Sequence, residues 1–192
     1  PIEYQLLDAS TGDTVTGLPA GVSCIVIGSV TQLEISGTPS AGITTQTVYS
    51  YTITTTGSPC NSSVTGSITV DPDDAIALTS AAGTESQVLC ETDPLVDIVY
   101  EFSEGATSAT VSGLPAGVIF TIVGNDLTIS GTPSAAISTS QFYPYTVTTV
   151  GTCESAILNG TITVDPEAII DLTLGSNDAQ VICENTAITP IE

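Results

Sequence analysis

Residues 112–134 read SGLPAGVIFTIVGNDLTISGTPS, and this stretch decides the fold because it contains two apolar segments joined by a tight turn. Apolar residues alternate on both sides of the turn: Phe120 and Ile122 before it, Leu127 and Ile129 after it. Such alternation is typical of β-strands with one buried face, and Gly124-Asn125-Asp126 between them is typical of a hairpin turn. The stretch therefore predicts a β-hairpin bounded by two further turns, Gly-Leu-Pro-Ala-Gly and Ser-Gly-Thr-Pro-Ser.

The same pattern occurs a second time near the start of the chain. Residues 16–40 read TGLPAGVSCIVIGSVTQLEISGTPS and carry both turn motifs in the same order. A later block repeats as well, because GSITVDP at 66–72 returns as GTITVDP at 160–166. The period of about 94 residues is too long for a solenoid turn and predicts an array of small domains.

The phase of the repeat divides the chain into three parts. Residues 1–72 are predicted to be a repeat that lacks its first strands, residues 73–166 a complete repeat, and residues 167–192 the first strands of a third. This phase predicts that the chain is a segment of a longer array, so that targeting and anchoring segments lie outside it.

Within the complete repeat, alternation predicts eight strands near residues 75–81, 86–90, 95–102, 107–112, 117–123, 126–130, 139–149 and 155–164. No stretch shows a helical stripe. Seven or eight short strands in one unit favour an all-β, immunoglobulin-like β-sandwich, with tandem units forming an extended rod. The tyrosine pairs Tyr49/Tyr51 and Tyr143/Tyr145 are interpreted as core residues, with ligand stacking as the alternative.

The charge of the chain excludes several classes of function. It has 21 acidic residues and no Lys, Arg or His, for a net charge of −21. Affinity for nucleic acids and anionic membranes comes largely from Lys and Arg, so neither is a predicted partner, and no direct membrane insertion is expected. The absence of His, Lys and Arg also removes the usual bases and oxyanion donors, which predicts a protein that is not an enzyme. The carboxylate pairs Glu101/Glu104 and Asp73/Asp74 are interpreted as solvated charge and not as glycosidase acids.

The cysteines indicate an oxidising compartment. Cys90 and Cys153 are predicted to form a disulfide that ties the start of the middle unit to its last hairpin, with two reduced thiols as the alternative. Cys60 and Cys183 occupy the equivalent positions in the neighbouring units, and their partners are expected outside the chain. Cys24 is interpreted as a small buried apolar residue, because it has no counterpart cysteine.

The joints between units are acidic and stiffened by proline. Their carboxylates suggest a Ca²⁺ site, since that ion is bound by six to eight oxygen atoms. The alternative is solvated charge with no cofactor. The predicted ligands at the two joints are Asp71, Asp73, Asp74, Asp165 and Glu167.

Taken in order, these motifs resemble a known family. CENTAITPI at 183–191, followed in each unit by GLPAGV, ISGTPS, Tyr-x-Tyr-Thr and Gly-x-Ile-Thr-Val, is similar to the PKD-like, immunoglobulin-like repeats of giant Bacteroidota cell-surface adhesins. The resemblance covers the whole chain. It implies an extracellular, surface-attached stalk of the kind found in gliding-motility adhesins, exported by type IX secretion, and it also implies the Cys90–Cys153 pairing.

The sequence therefore predicts a stalk segment of a very large extracellular adhesin. Its role is to set distance from the cell and to bear force in surface attachment or gliding motility. Its expected partners are the neighbouring repeats and the surface export or motility machinery. One alternative is a glycan-binding accessory module of a secreted polysaccharide-degrading protein. Another is a subunit that polymerises by donating a terminal strand to its neighbour.

Overall fold

The computed structural model describes residues 1–6, 12–28, 32–40, 42–56, 61–134, 136–172 and 179–191. Over these residues the chain forms fourteen β-strands and no helix. The first six strands are β1 (Ile2–Gln5), β2 (Gly12–Thr16), β3 (Val22–Ile27), β4 (Gln32–Gly37), β5 (Thr47–Thr56) and β6 (Ser63–Val70). The other eight are β7 (Asp74–Leu78), β8 (Ser86–Cys90), β9 (Ile98–Glu104), β10 (Ala106–Ser112), β11 (Val118–Val123), β12 (Asp126–Gly131), β13 (Gln141–Gly151) and β14 (Ile157–Asp165).

Each group of strands forms two sheets. In the first unit the sheet orders are β1-β4-β3 and β2-β5-β6, and in the middle unit they are β11-β12-β9-β7 and β10-β13-β14-β8. All pairings are antiparallel except that of β8 with β14, which is parallel. One core cluster in the middle unit draws residues from both of its sheets, among them Ile98 and Leu127 from one and Val147 and Ile162 from the other. The chain is therefore all-β, and its units are immunoglobulin-like β-sandwiches as predicted.

Alternation explains which residues enter this core. Ile98, Tyr100 and Phe102 of β9 are buried at every second position, as are Leu127 and Ile129 of β12. Burying each such side chain contributes roughly 1.5–3 kcal/mol. The predicted strand near 95–102 begins too early, because β9 starts at Ile98 and Val96 is 63% exposed. The backbone of Val96 instead bonds to the side chain of Gln87, which holds that residue outside the sheet.

The two repeated turn motifs pack against each other. The amide of Ser134, in Ser-Gly-Thr-Pro-Ser, donates to the carbonyl of Ala116, in Gly-Leu-Pro-Ala-Gly, at 3.0 Å. Gly117 lies between them with φ +86°, and a Cβ there would overlap the carbonyl oxygen of Thr132. The first unit repeats the contact from Ser40 to Ala20 at 2.8 Å. The two motifs recur together because they bond to each other beside the same hairpin, which is β11–β12 in the middle unit and β3–β4 in the first unit.

A pair of tyrosines joins the two sheets of each unit. In the middle unit the hydroxyls of Tyr100 on β9 and Tyr145 on β13 are 2.9 Å apart, and the Tyr145 hydroxyl also donates to the Glu85 carbonyl at 3.2 Å. In the first unit Tyr4 and Tyr51 form the same bond at 2.8 Å. Tyr145 and Tyr51 are buried, so the interpretation of these two residues as core is confirmed. The sequence did not indicate their hydrogen-bond partners.

Three of these tyrosines have a raised pKa. Burial, followed by the hydrogen bond to Tyr100, raises the pKa of Tyr145 far above its usual range. Burial also raises the pKa of Tyr100. In the first unit the hydrogen bond to Tyr4, followed by burial, raises the pKa of Tyr51 to about 12. Tyr51, Tyr100 and Tyr145 therefore keep their protons to a higher pH in the folded units than in the unfolded chain.

Candidate functional site at the joints between units

The first joint is held by residues of both units. Only Asp71, Pro72 and Asp73 separate the last strand of the first unit from the first strand of the middle unit. On the first-unit side, Gln46 donates to the Asp71 carboxylate at 2.6 Å. On the middle-unit side, the amide of Gly105 donates to the Asp73 carbonyl at 3.2 Å. So short a linker with bonds on both sides restricts rotation between the units.

The β13–β14 hairpin of the middle unit closes over this joint. The Asp74 amide donates to the carbonyl of Glu154 at 3.0 Å, and the Glu154 amide lies 3.4 Å from the Asp73 carboxylate. The Cys153 thiol lies 3.7 Å from the Asp71 carbonyl oxygen. The exposed Cys153 therefore lies directly at the boundary with the preceding unit.

At the other end of the middle unit, the turn that follows Cys90 contacts the second joint, which begins at Asp165. This turn contains Glu91 and Thr92 and is called the cysteine turn below. Cys90 is the Cα partner of Asp165, and the amide of Glu91 donates to the Asp165 carbonyl at 2.8 Å. Thr92 donates to the Glu167 carboxylate at 3.3 Å. Glu91 also accepts from the Glu167 amide, so the turn and the joint are bonded in both directions.

This cysteine turn is a repeated device that sequence reasoning missed. In the middle unit, Gln87 exchanges two hydrogen bonds with the backbone of Val96, and Thr92 has φ 73°. In residues 179–191, Gln180 exchanges the same two bonds with Thr189, and Asn185 has φ 60°. The signal in the sequence is a glutamine three residues before each cysteine, Gln87 before Cys90 and Gln180 before Cys183. The bonds join residues nine apart in the sequence, so the conformation of the turn is local.

The predicted Cys90–Cys153 bond does not fit this geometry. Both residues are free, exposed thiols, as is Cys183, whereas Cys60 lies outside the described residues. Cys90 pairs with the last residue of β14, and Cys153 lies four residues before its first. The length of β14 alone separates these positions by about 25 Å, whereas disulfide-linked Cα atoms lie within about 7 Å. Intraunit pairing is excluded because the two thiols lie at opposite ends of the sandwich.

The thiols also differ in their surroundings. Local desolvation, and then the negative charges of Asp71, Asp73 and Asp74, raise the pKa of the Cys153 thiol. Cys24 is half-buried beside the core of the first unit, and its thiol lies 4.0 Å from Asp13. Burial, and then the Asp13 charge, raise the pKa of Cys24. Cys24 pairs with Ile35 as Phe120 pairs with Ile129, so it takes the place of an apolar residue, but it is half-buried and not buried as expected.

The predicted calcium ligands do not converge. Among the described residues, no group of three or more acidic or cysteine side chains could hold a metal ion. Asp71 and Asp73 of the first joint bond to amide donors, and Asp165 and Glu167 belong to the second joint. Asp74 is 8% exposed, and neither of its carboxylate oxygens has a hydrogen-bond partner. A buried carboxylate without a partner destabilises a fold, because it has lost its hydration.

Replacing Asp74 with alanine is therefore expected to stabilise the middle unit by about 1–3 kcal/mol. The next unit already has Ala168 at the equivalent position. Thermal unfolding of the whole chain measures the change, and the exposed neighbour Asp73→Ala serves as the matched control. The gain should be equal in chelator and in millimolar Ca²⁺. If Ca²⁺ instead raised the melting temperature of the parent chain and not of Asp74→Ala, the carboxylate would be a cation ligand.

Comparison with known proteins finds a similar adhesin. Over 138 residues the chain is 36% identical to the serine-rich adhesin for platelets of Staphylococcus aureus strain MRSA252. The match covers 70% of this chain and 10% of the relative, so the chain spans about a tenth of that relative's length. No family model matches the chain.

Several solved structures align with the chain at low identity. Human protocadherin-24 EC1-2 aligns with a TM-score of 0.47 and 14% identity, over 88% of this chain and 91% of that chain. The titin domains Z1Z2, in complex with telethonin, align with a TM-score of 0.40 and 11% identity, over 78% and 74%. An endo-fucoidan hydrolase from glycoside hydrolase family 107 aligns with a TM-score of 0.33 and 19% identity, over 87% of this chain and 25% of that chain. The sheet order described above, and not these alignments, defines the immunoglobulin-like fold.

None of the described residues belongs to a helix with the length and apolarity of a membrane span.

Proposed function

We propose that this chain is a stalk segment of a large extracellular adhesin, in which it sets distance and transmits force. The observation that carries the proposal is the bonding at both ends of the middle unit. The β13–β14 hairpin bonds to the joint before the unit, and the cysteine turn bonds to the joint after it. A unit that is bonded to the joints on both sides, with only three residues in the first joint, transmits tension along the chain instead of swivelling freely.

Similarity to a staphylococcal adhesin supports the adhesin class and a surface location. The composition supports a stalk in preference to a binding tip. With 21 acidic residues and no Lys, Arg or His, neighbouring stalks repel each other, and anionic ligands find no cationic partner. The similarity to an adhesin, together with the missing bases, also favours a role without catalysis.

The repeat motifs extend the proposal to surface attachment or gliding motility in Bacteroidota, with export by type IX secretion. The partners would be the adjoining repeats and the export or motility machinery. This finer assignment follows from the resemblance of the motifs alone. It is separate from the mechanical role, which follows from the joints.

The proposal is tested by changing the number of units in the complete surface protein. Deleting residues 73–166, one whole repeat, is expected to shorten the surface fibre by about 40 Å, and inserting a second copy should lengthen it equally. Electron microscopy of labelled fibres measures the length. Adhesion should persist in both variants. A fibre whose length does not follow the number of units would overturn the stalk role.

The glycan-binding alternative predicts a different result. Phe142 is exposed on β13, and Tyr143 and its first-unit equivalent Tyr49 are half-buried, so these are among the aromatic side chains that could stack on a sugar. For a stalk segment, the purified chain should show no saturable binding to a glycan panel. Binding at micromolar affinity that Tyr143→Ala removes would replace the stalk with an accessory binding module.

A further inference from the structure

The cysteines at the two ends of the middle unit occupy complementary positions at equivalent joints. Asp71 and Asp165 are the same position of the repeat, since each follows Thr-Val and precedes proline. At the first joint, the Cys153 thiol approaches the Asp71 carbonyl oxygen to 3.7 Å from the unit that follows. At the second joint, the Glu91 amide donates to the Asp165 carbonyl oxygen at 2.8 Å from the unit that precedes. Cys90 is the residue directly before Glu91, so it lies beside the same carbonyl group.

Superposing one joint on the other therefore brings two cysteines of successive units to the same aspartate. Cys90 is the lateral strand neighbour of Asp165, so their Cα atoms are about 5 Å apart. The Cys153 equivalent of the following unit would contact the same carbonyl oxygen from across the joint. Two cysteines that lie on either side of one aspartate in this way are neighbours, whereas the two cysteines of one unit are about 25 Å apart, far beyond the Cα range of a disulfide.

We propose that each joint of the array is closed by an interunit disulfide, between the cysteine that ends β8 of one unit and the cysteine of the β13–β14 hairpin in the next. Both thiols are exposed, so an oxidant can reach them. The bond bridges the joint in parallel with the Asp-Pro linker. Tension is then shared between two covalent connections, and the angle between successive units is fixed.

The chemistry is an exchange with an external disulfide such as oxidised glutathione. One cysteine thiolate attacks that disulfide and forms a mixed disulfide, which releases the first glutathione as a thiol. The second cysteine thiolate displaces the other glutathione and completes the protein disulfide. The two protein thiols are oxidised by two electrons in total, and the external disulfide is reduced to two thiols.

The inference is tested on the whole chain extended by one unit, with a second copy of residues 73–166 inserted after Pro166. The joint between the copies then reads Val-Asp-Pro-Asp-Asp, as at the first joint. Two matched variants keep one pair of cysteines each and replace the others by serine. The cross-joint variant keeps Cys90 of the first copy and Cys153 of the second, and the within-unit variant keeps Cys90 and Cys153 of the first copy.

After equilibration in a glutathione redox buffer, the cross-joint variant is expected to lose both thiols and to weigh two hydrogen atoms less, still as a monomer. The within-unit variant should keep both thiols. Intact-mass spectrometry with alkylation reads out both results. Retention of both thiols in the cross-joint variant, or closure in the within-unit variant, would overturn the proposal.

A thiol count on the extended chain with all its cysteines decides the question if a serine variant fails to fold. That chain carries seven cysteines, of which five belong to the original sequence. Cross-joint pairing leaves five free thiols, pairing within both copies leaves three, and no pairing leaves seven. Only the first count supports the proposal. The result is independent of the adhesin assignment, since a rigid array could serve another function and a stalk could lack the bond.

Discussion

Replacing Gly160 with valine is expected to destabilise the middle unit by about 3 kcal/mol or more. Gly160 is buried in β14, opposite Tyr145 in the strand register. A Cβ at this position would overlap the Tyr145 ring, and it would come within 2.5 Å of the Glu85 carbonyl oxygen. The ring cannot move aside, because its hydroxyl is bonded to both Tyr100 and Glu85. The melting temperature of the unit should fall by roughly 12–24 °C.

Thr163→Val is the matched control, because Thr163 lies on the opposite face of the same strand and is only half-buried. Its effect should stay within about 0.5 kcal/mol. Replacing Tyr145 with a smaller side chain should relieve its overlap with a Cβ at position 160. The double variant Gly160→Ala with Tyr145→Leu is therefore expected to be more stable than the sum of the two single changes. Simple additivity would show that the glycine is required for a reason other than the ring.

The positions of the strands could be predicted from the sequence because they depend on local alternation. β8, β11 and β12 begin and end within about one residue of the predicted ranges. The main error, at Val96, arose because an apolar residue continued the alternating pattern beyond the sheet. There, the Gln87 side chain takes the place of a neighbouring strand. A side-chain hydrogen bond of this kind does not change the alternation of apolar and polar residues, so the sequence pattern does not reveal it.

The joint could be predicted only in part. Its acidic, proline-containing sequence was evident, but the positions of the cysteines depend on the parallel pairing of β8 with β14. That register places Cys90 at the end of β14, whereas the β13–β14 hairpin places Cys153 before its start. Spacing along the chain does not reveal such a register, because strand direction is a property of the whole sheet. The burial of Asp74 was missed because Gly105 and Gly151, which are distant in the sequence, lie against its carboxylate.

Above pH 10 the free energy of unfolding of the middle unit is expected to fall steeply. In the unfolded chain tyrosine ionises near pH 10. Burial raises the pKa of both Tyr100 and Tyr145 in the folded unit, so the folded state keeps protons that the unfolded state loses. Stability from this source is complete below pH 10 and is lost as the pH rises. A buried tyrosine lowers stability by about 1.4 kcal/mol for each pH unit above 10 over which it keeps its proton.

The composition allows the contribution of the tyrosines to the pH dependence to be measured separately. The chain has no Lys, Arg or His, so apart from the chain terminus only phenols and thiols titrate in this range. Replacing Cys90 and Cys153 by serine removes the thiols of the middle unit. In that background, denaturant unfolding at a series of pH values measures the slope of stability against pH.

Tyr145→Phe is expected to reduce this alkaline slope by about half, since one of the two buried phenols is gone. At neutral pH the same change should cost only about 1 kcal/mol, because it removes hydrogen bonds and leaves the ring in place. Tyr143→Phe, on the same strand but outside the hydroxyl pair, serves as the matched control. The slope itself reports whether the pair stays protonated in the folded unit. A slope that Tyr145→Phe left unaltered would mean that the alkaline loss arises elsewhere, and that the buried pair ionises as readily in the folded unit as in the unfolded chain.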